Sequence, residues 1–215
     1  MKYNCIIFDC DGVLVDSEAI SARVFQDMIL ELGTEIGFES VLEQITGTSM
    51  KENLQFISEI INGELPADFE TDFRKRSYEA FKTDLKPVNG IADLLKKIKI
   101  PVGVASSGPV EKIRLNLTTT SLIHFFGENI FSSYEIGSWK PEPEIYLHSA
   151  KKMDFKPEEC AVIEDSLPGI QAAKAGGFDV FGFATEKNKT TFEESGATVF
   201  FNVDELEHLL KLNYT

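Results

Sequence analysis

Apolar residues recur along this chain with two periods, and the change from one to the other divides it. Cys5-Ile6-Ile7-Phe8 is an uninterrupted apolar run that stops at Asp9 and Gly12, the pattern of a short buried β-strand. Beyond Val15 the spacing lengthens to one helical turn. Ile20, Val24, Met28 and Leu32 form one face, with Phe25 and Ile29 beside them and Gly33 as the stop. A second helix is predicted over Phe38–Ile45. Ser49 and Glu52 then have the spacing of a capping box, ahead of a face of Leu54, Ile57 and Ile61 that closes at Gly63 and Pro66. A fourth helix, carrying Phe69, Phe73 and Phe81, is expected over about residues 67–83. No strand pattern falls between Asp16 and Asp84. Past a return linker at residues 86–90, strands at 101–106, 129–132, 161–164, 180–183 and 198–201 alternate with helices at 109–117, 141–153, 167–175 and 203–212. Such alternation predicts an α/β fold, a doubly wound parallel sheet made of residues 1–16 and 85–215, with an all-helical block at 17–84 inserted after the first strand.

Composition narrows the possible functions. At 215 residues and 43% hydrophobic content the chain can build one full core and a smaller second domain. It has no apolar run of the roughly eighteen residues a membrane span needs and no charged-then-apolar leader, so a soluble, cytoplasmic protein without a membrane partner is expected. Cys5, Cys10 and Cys160 cannot all pair, and they read as reduced core residues. A net charge of −14 argues against nucleic acid as a partner. It also requires that a small anionic substrate be held by local positive groups against a repulsive global field. A monomer or weak dimer is expected.

The chemistry gathers at strand ends. Asp9 and Asp11 are two apart, so strand alternation would turn both to one face and Cys10 to the other. Two close carboxylates need a counter-charge, and an all-oxygen site suits Mg²⁺. Ser106-Ser107-Gly108-Pro109 places hydroxyls and N–H groups at a helix start, where an anion can be cradled. Trp139-Lys140-Pro141-Glu142-Pro143 puts a lysine on a loop stiffened by two prolines. Glu164-Asp165-Ser166 follows the strand at 161–164 directly. Each piece alone has an ordinary explanation: a turn, a helix start, a solvated lysine, a helix cap. Trp139 is expected to pack under Lys140, Asp16 and Ser17 to cap the next helix, and His124, His148 and His208 to serve surface or packing roles.

In order, DxDGV, Ser, Lys-Pro and Glu-Asp-Ser resemble the haloacid dehalogenase superfamily of phosphohydrolases, over essentially the whole chain, with a Rossmann-like core and a small helical cap. The resemblance implies Asp9 as nucleophile and Asp11 as general acid and base. It implies Mg²⁺ held by Asp9, the Asp11 carbonyl and Asp165 with Glu164 in reserve, and Ser106, Ser107 and Lys140 as phosphate binders. Ser17, Thr48, Met50 and Lys51 are the candidate substrate contacts of the cap. The second Asp of the motif favours phosphate esters over halides. The expected activity is an Mg²⁺-dependent phosphatase acting on a small phosphorylated metabolite, a sugar or sugar-acid phosphate; Ser-Ser-Gly-Pro and Trp-Lys-Pro resemble sugar-phosphate phosphatases, including a phosphogluconate type. The β-phosphoglucomutase branch is the alternative. Its cap histidine and arginine correspond here to Ser21 and Met50, although Lys51 or Arg23 could compensate. A non-enzymatic phosphoacceptor domain is a further alternative, disfavoured by the helical insert and the early position of Asp9.

Overall fold

A computed structural model describes residues 2–211, so the expected end of the last helix, at residue 212, lies outside the described residues. The chain separates into two compact units, one formed by residues up to Val15 and from Pro87 onward, the other by Asp16–Lys86.

The α/β unit opens with β1 (Cys5–Phe8), whose four side chains are all buried. A strand covered on both faces must be apolar at every position, which is why its sequence shows a run rather than an alternation. The helical unit supplies α1 (Glu18–Glu31), α2 (Phe38–Ile45), α3 (Met50–Ile61) and α4 (Phe69–Asp84). The α/β unit resumes with α5 (Ile91–Lys97), β2 (Val102–Ser106), α6 (Val110–Thr119), α7 (Ile123–Phe126), β3 (Ile130–Ser132) and α8 (Ser133–Ile136). It continues with α9 (Glu144–Lys152), a 3-10 turn at Pro157–Glu159, β4 (Cys160–Glu164), α10 (Leu167–Ala175), β5 (Asp179–Phe183), α11 (Lys189–Glu194), β6 (Thr198–Phe200) and α12 (Val203–Leu209).

All six strands are parallel, in the order β3-β2-β1-β4-β5-β6. The chain therefore walks outward from β1 to β3, then crosses back to place β4 on the other side of β1. Phe8 pairs with Val104 of β2 on one side and Ile163 of β4 on the other, so Asp9 follows in register with Glu164 at the carboxyl edge of the sheet. That reversal makes a crevice between β1 and β4, where doubly wound sheets bind their ligands.

Two expectations change. The strand ends at Phe8, so alternation does not orient Asp9 and Asp11. The backbone instead turns, with Leu14 N and Val15 N donating to Cys10 O, Gly12 N donating to Val15 O, and Gly12 at φ +80°. Four helices, α5, α7, α8 and α11, went unforeseen. Each is too short to show a helical period, which takes a window of about eleven residues to emerge. The three cysteines are free and buried, as expected of core residues. Among the described residues, no helix is long and apolar enough to cross a membrane.

The helical unit has its own core, in which Phe25 stacks on Phe73 with ring centroids 3.7 Å apart and Phe38 and Phe56 pack at the edge. Ser17 precedes α1 and is buried, but its side chain makes no capping bond, so the expected cap is not formed. Thr48 donates to Asn53 Oδ1 at 2.7 Å, Met50 packs partly buried against the core, and Lys51 is exposed. The capping box at α3 is formed: Ser49 Oγ accepts from Glu52 N, and Glu52 Oε2 accepts from Ser49 N at 2.7 Å. The Glu52 carboxyl lies below its ordinary value of 4.5, first because the Ser49 hydroxyl donates to it and then because the Ser49 N–H does. A depressed carboxylate stabilises the fold above its unfolded pKa and loses that share as pH falls through the lowered value. Ser49→Ala should cost about 1 kcal/mol in urea unfolding at neutral pH. The gap from the parent should narrow as pH is taken below 4.5, and an undiminished gap in acid would contradict this assignment.

Candidate active site

Asp9 follows β1 directly and is tied to β4 by its N–H, which donates to Ile163 O at 2.9 Å. Its side chain is 11% exposed at the mouth of the β1–β4 crevice. Lys140 arrives from the loop between α8 and α9, where Glu142 N donates to Trp139 O and prolines 141 and 143 stiffen the chain. Its ammonium group donates to Asp9 Oδ1 and Glu164 Oε1, at 2.5 Å each, with its side chain 6% exposed. Burying an isolated ammonium costs several kcal/mol. Here two carboxylates and the face of Tyr146, 5.1 Å from the Nζ to the ring centroid, meet the charge. Trp139, expected beneath Lys140, is instead 45% exposed and packs edge-on against Tyr134 at 5.5 Å.

Glu164 ends β4 and is fully buried. Its Oε1 accepts from Lys140 and from Tyr146 OH at 2.7 Å. Its Oε2 accepts from Asp165 N at 2.9 Å, Ser166 N at 2.8 Å and the Ser166 hydroxyl at 2.9 Å. A carboxylate has about four lone-pair directions. In this arrangement the carboxylate is surrounded by donors, and Glu164 serves as the base plate of Lys140. Gly169 on α10 makes room for it, since a Cβ there would lie 1.8 Å from Glu164 Oε1. Burial would raise the Glu164 pKa, but Lys140, Tyr146 and the Ser166 N–H outweigh it and hold the carboxyl below the usual range. Lys140 stays well above its ordinary value because Asp9 and Glu164 overcome desolvation. Asp9 is pushed up to about 7, by burial first, with Lys140 pulling against it and the charges of Glu164 and Asp11 adding to the rise.

Asp11 is held from α6: Lys112 Nζ donates to its Oδ2 at 2.8 Å and Asn116 Nδ2 to its Oδ1 at 3.2 Å. Ser106 ends β2 with its side chain buried, and its Oγ accepts from Gly108 N at 3.1 Å. Ser107 is exposed. Ser132, at the end of β3 and paired in register with Ser106, donates to Gly108 O at 2.6 Å and so pins the Ser-Ser-Gly-Pro loop. Asp165 lies against Gly12, where a Cβ would sit 1.8 Å from Asp165 Oδ2, so the turn after Asp11 needs a glycine for contact as well as for its φ. The structure thus brings Asp9, Asp11, Ser106, Lys140, Glu164 and Asp165 to one rim of the sheet. Ser17, Thr48, Met50 and Lys51 belong to the helical unit.

Among the described residues no three Asp, Glu, His or Cys side chains converge as a ready metal cage. What the rim offers is smaller: the carboxylates of Asp9 and Asp165 and the backbone oxygen of Asp11. Mg²⁺ asks for no more, since it keeps several waters and takes one or two carboxylates.

Lys112, Asn116, Tyr146, Gly169 and Ser132 were not anticipated from sequence. Tyr146 and Asn116 lay on helical faces that read as core or surface, and no local signal sets them apart. Lys112 follows Ser106 by less than two turns of helix, and its proximity to an anion-binding loop was the one available clue.

Residues 3–177 match the haloacid dehalogenase-like hydrolase family. A 6-phosphogluconate phosphatase from Escherichia coli K12 is 31% identical over 212 residues, spanning 98% of this chain and 96% of that one. A conserved haloacid dehalogenase-like protein from Agrobacterium tumefaciens superposes with a TM-score of 0.85 at 30% identity, covering 97% of both chains. A family hydrolase from Deinococcus radiodurans, solved with bound phosphate and sodium, gives 0.82 at 27% identity over 97% of this chain and 95% of that one. With the four strand-end motifs gathered on one rim of a parallel sheet and a match of this extent, the chain belongs to the haloacid dehalogenase-like hydrolases.

Proposed function

We propose that this enzyme is an Mg²⁺-dependent phosphatase that cleaves a small sugar or sugar-acid phosphate through an aspartyl-phosphate on Asp9. The observation that carries the reading is the buried contact of Lys140 with Asp9 Oδ1, which fixes the carboxylate and leaves Oδ2 to attack phosphorus. In the first half-reaction the Asp9 Oδ2–P bond forms while the ester P–O bond breaks, and Asp11 gives its proton to the departing alkoxide. In the second, water attacks the phosphoryl group as Asp11 takes its proton. The Oδ2–P bond breaks and orthophosphate leaves. Lys140, the Ser106 hydroxyl and the N–H groups of the loop it opens bind the non-bridging oxygens, where phosphoryl transfer most needs positive charge. Asp9, Asp165 and the Asp11 carbonyl would hold Mg²⁺, which when bound offsets negative charge on these ligands and on the phosphoryl group.

The substrate class rests on the likeness to the 6-phosphogluconate phosphatase. Hydrolysis is favoured over mutation of phosphosugars because Ser21 and Met50 stand where the mutase branch would have cationic side chains, and Arg23 is engaged over the Phe38 ring at 4.7 Å. Lys51 remains exposed in the helical unit as a candidate contact to a substrate carboxylate.

Asp9→Asn should abolish phosphate release from every ester while leaving the circular dichroism spectrum close to the parent's. Turnover in that variant would remove Asp9 from its role. Treatment with EDTA should silence the enzyme and added Mg²⁺ restore it; activity that persists after chelation would count against the metal. Tyr146→Phe strips one donor from a charged, buried acceptor, a loss of about 1.5–3 kcal/mol. The melting temperature should therefore drop, and the kcat/KM for phosphate release should fall roughly tenfold, because each 1.4 kcal/mol of lost positioning is a factor of ten. Unchanged kinetics would show that Lys140 does not need Glu164 held in place.

A further inference from the structure

We propose that Lys112 and Asn116 are positioning residues for proton transfer, a two-point clamp on α6 that sets the direction of the Asp11 carboxylate; the proposal rests on the acid–base role of Asp11 given above. The two side chains sit one turn apart on the same face of the helix and each takes a different oxygen of Asp11, at 2.8 Å and 3.2 Å. Donors on both oxygens fix the rotation of the carboxyl plane as well as its position. An exposed lysine–aspartate pair is worth little. This one is largely withdrawn from solvent, with side-chain exposures of 20% and 25%, and is backed by an asparagine that is fully buried.

Asn116 gives the stronger argument. Its Oδ1 is buried and has no hydrogen-bond partner among the described residues. A stranded acceptor destabilises a fold, and an apolar side chain of similar size would avoid that cost. The neighbours Ile113 and Leu117 on α6 are both fully buried, so the surroundings are suited to such a residue. The asparagine is accounted for by its other end, the Nδ2 that reaches Asp11. Lys112 is tied to the same rim by its stem, since a Cβ on Gly108 would lie 3.5 Å from Lys112 Cδ and equally 3.5 Å from Ser106 Oγ. Proton transfer tolerates little misplacement: the acid must come within hydrogen-bond reach of the leaving oxygen, and an error near 1 Å can cost about a hundredfold.

The test compares Lys112→Met and Asn116→Leu with the parent and with Asp11→Asn, on phenyl phosphate and p-nitrophenyl phosphate. The two esters share a shape, but phenoxide needs a proton as it leaves and nitrophenoxide hardly does. kcat/KM reports the first half-reaction alone. In kcat/KM, both variants should lose roughly tenfold or more on phenyl phosphate and less than about threefold on p-nitrophenyl phosphate. Asn116→Leu should melt at or above the parental temperature. Equal losses on the two esters, or none on either, overturn the clamp, because a general loosening of the fold or a lost substrate contact would not depend on leaving-group basicity. A clear selectivity in Asp11→Asn that both variants lack overturns the clamp alone. An active parent whose Asp11→Asn variant shows no selectivity overturns the role of Asp11, and the clamp with it. Should Asn116→Leu fold poorly, its expected stability is refuted and Lys112→Met, a partly exposed position, decides the kinetic claim.

Discussion

A buried ammonium group between two buried carboxylates governs how this sheet edge is built. Lys140 is desolvated, so it must be paired, and once paired it draws Asp9 and Glu164 to within hydrogen-bond distance from different segments of chain. The demand spreads outward. Glu164 needs its remaining lone pairs met, which is done by Tyr146, Ser166 and the Asp165 N–H. The space it occupies excludes any side chain at position 169. Removing a single member leaves an uncompensated charge in a dry setting, which typically costs about 3–5 kcal/mol. A network of this kind adds little net stability but fixes one geometry, and geometry is what an in-line displacement requires.

Strand order makes that geometry available. Because β4 returns to the far side of β1, residues from opposite ends of the chain become neighbours, and the register at Phe8 sets Asp9 beside Glu164. The same register sets Ser106 and Ser132 side by side at the ends of β2 and β3, where one holds the loop that the other begins. A parallel sheet whose strand order reverses at β1 delivers the set.

How far the sequence discloses this depends on how local the cause is. Residues whose identity is dictated by their own segment were legible: the buried run of β1, the capping box at Ser49, and the strand-terminal Asp9, Ser106 and Glu164. Two prolines mark the loop of Lys140, but only its place among the four motifs sets it apart from a solvated lysine. Tyr146, Asn116 and Gly169 were not legible, because their partners lie across the fold and a tyrosine, an asparagine and a glycine on helical segments look ordinary from within them. The turn at Gly12 overruled strand alternation at Asp11, since the chain stops pairing at Phe8 and a period of two has no force beyond it.

The charge of the whole chain gives these local arrangements their weight. At −14 the protein repels an anionic substrate at long range, yet salt screens exposed charges beyond about 8 Å under physiological conditions. What a phosphate meets on reaching the rim is set by groups that salt screens poorly, above all Lys140, whose burial lowers the effective dielectric around it. A surface lysine in its place would be hydrated, mobile and diluted by fourteen surplus negative charges. Desolvation, which is costly for the fold, is thus the condition under which one ammonium group can dominate its surroundings. The carboxylates that make its burial tolerable are the ones beside which the phosphoryl group must react.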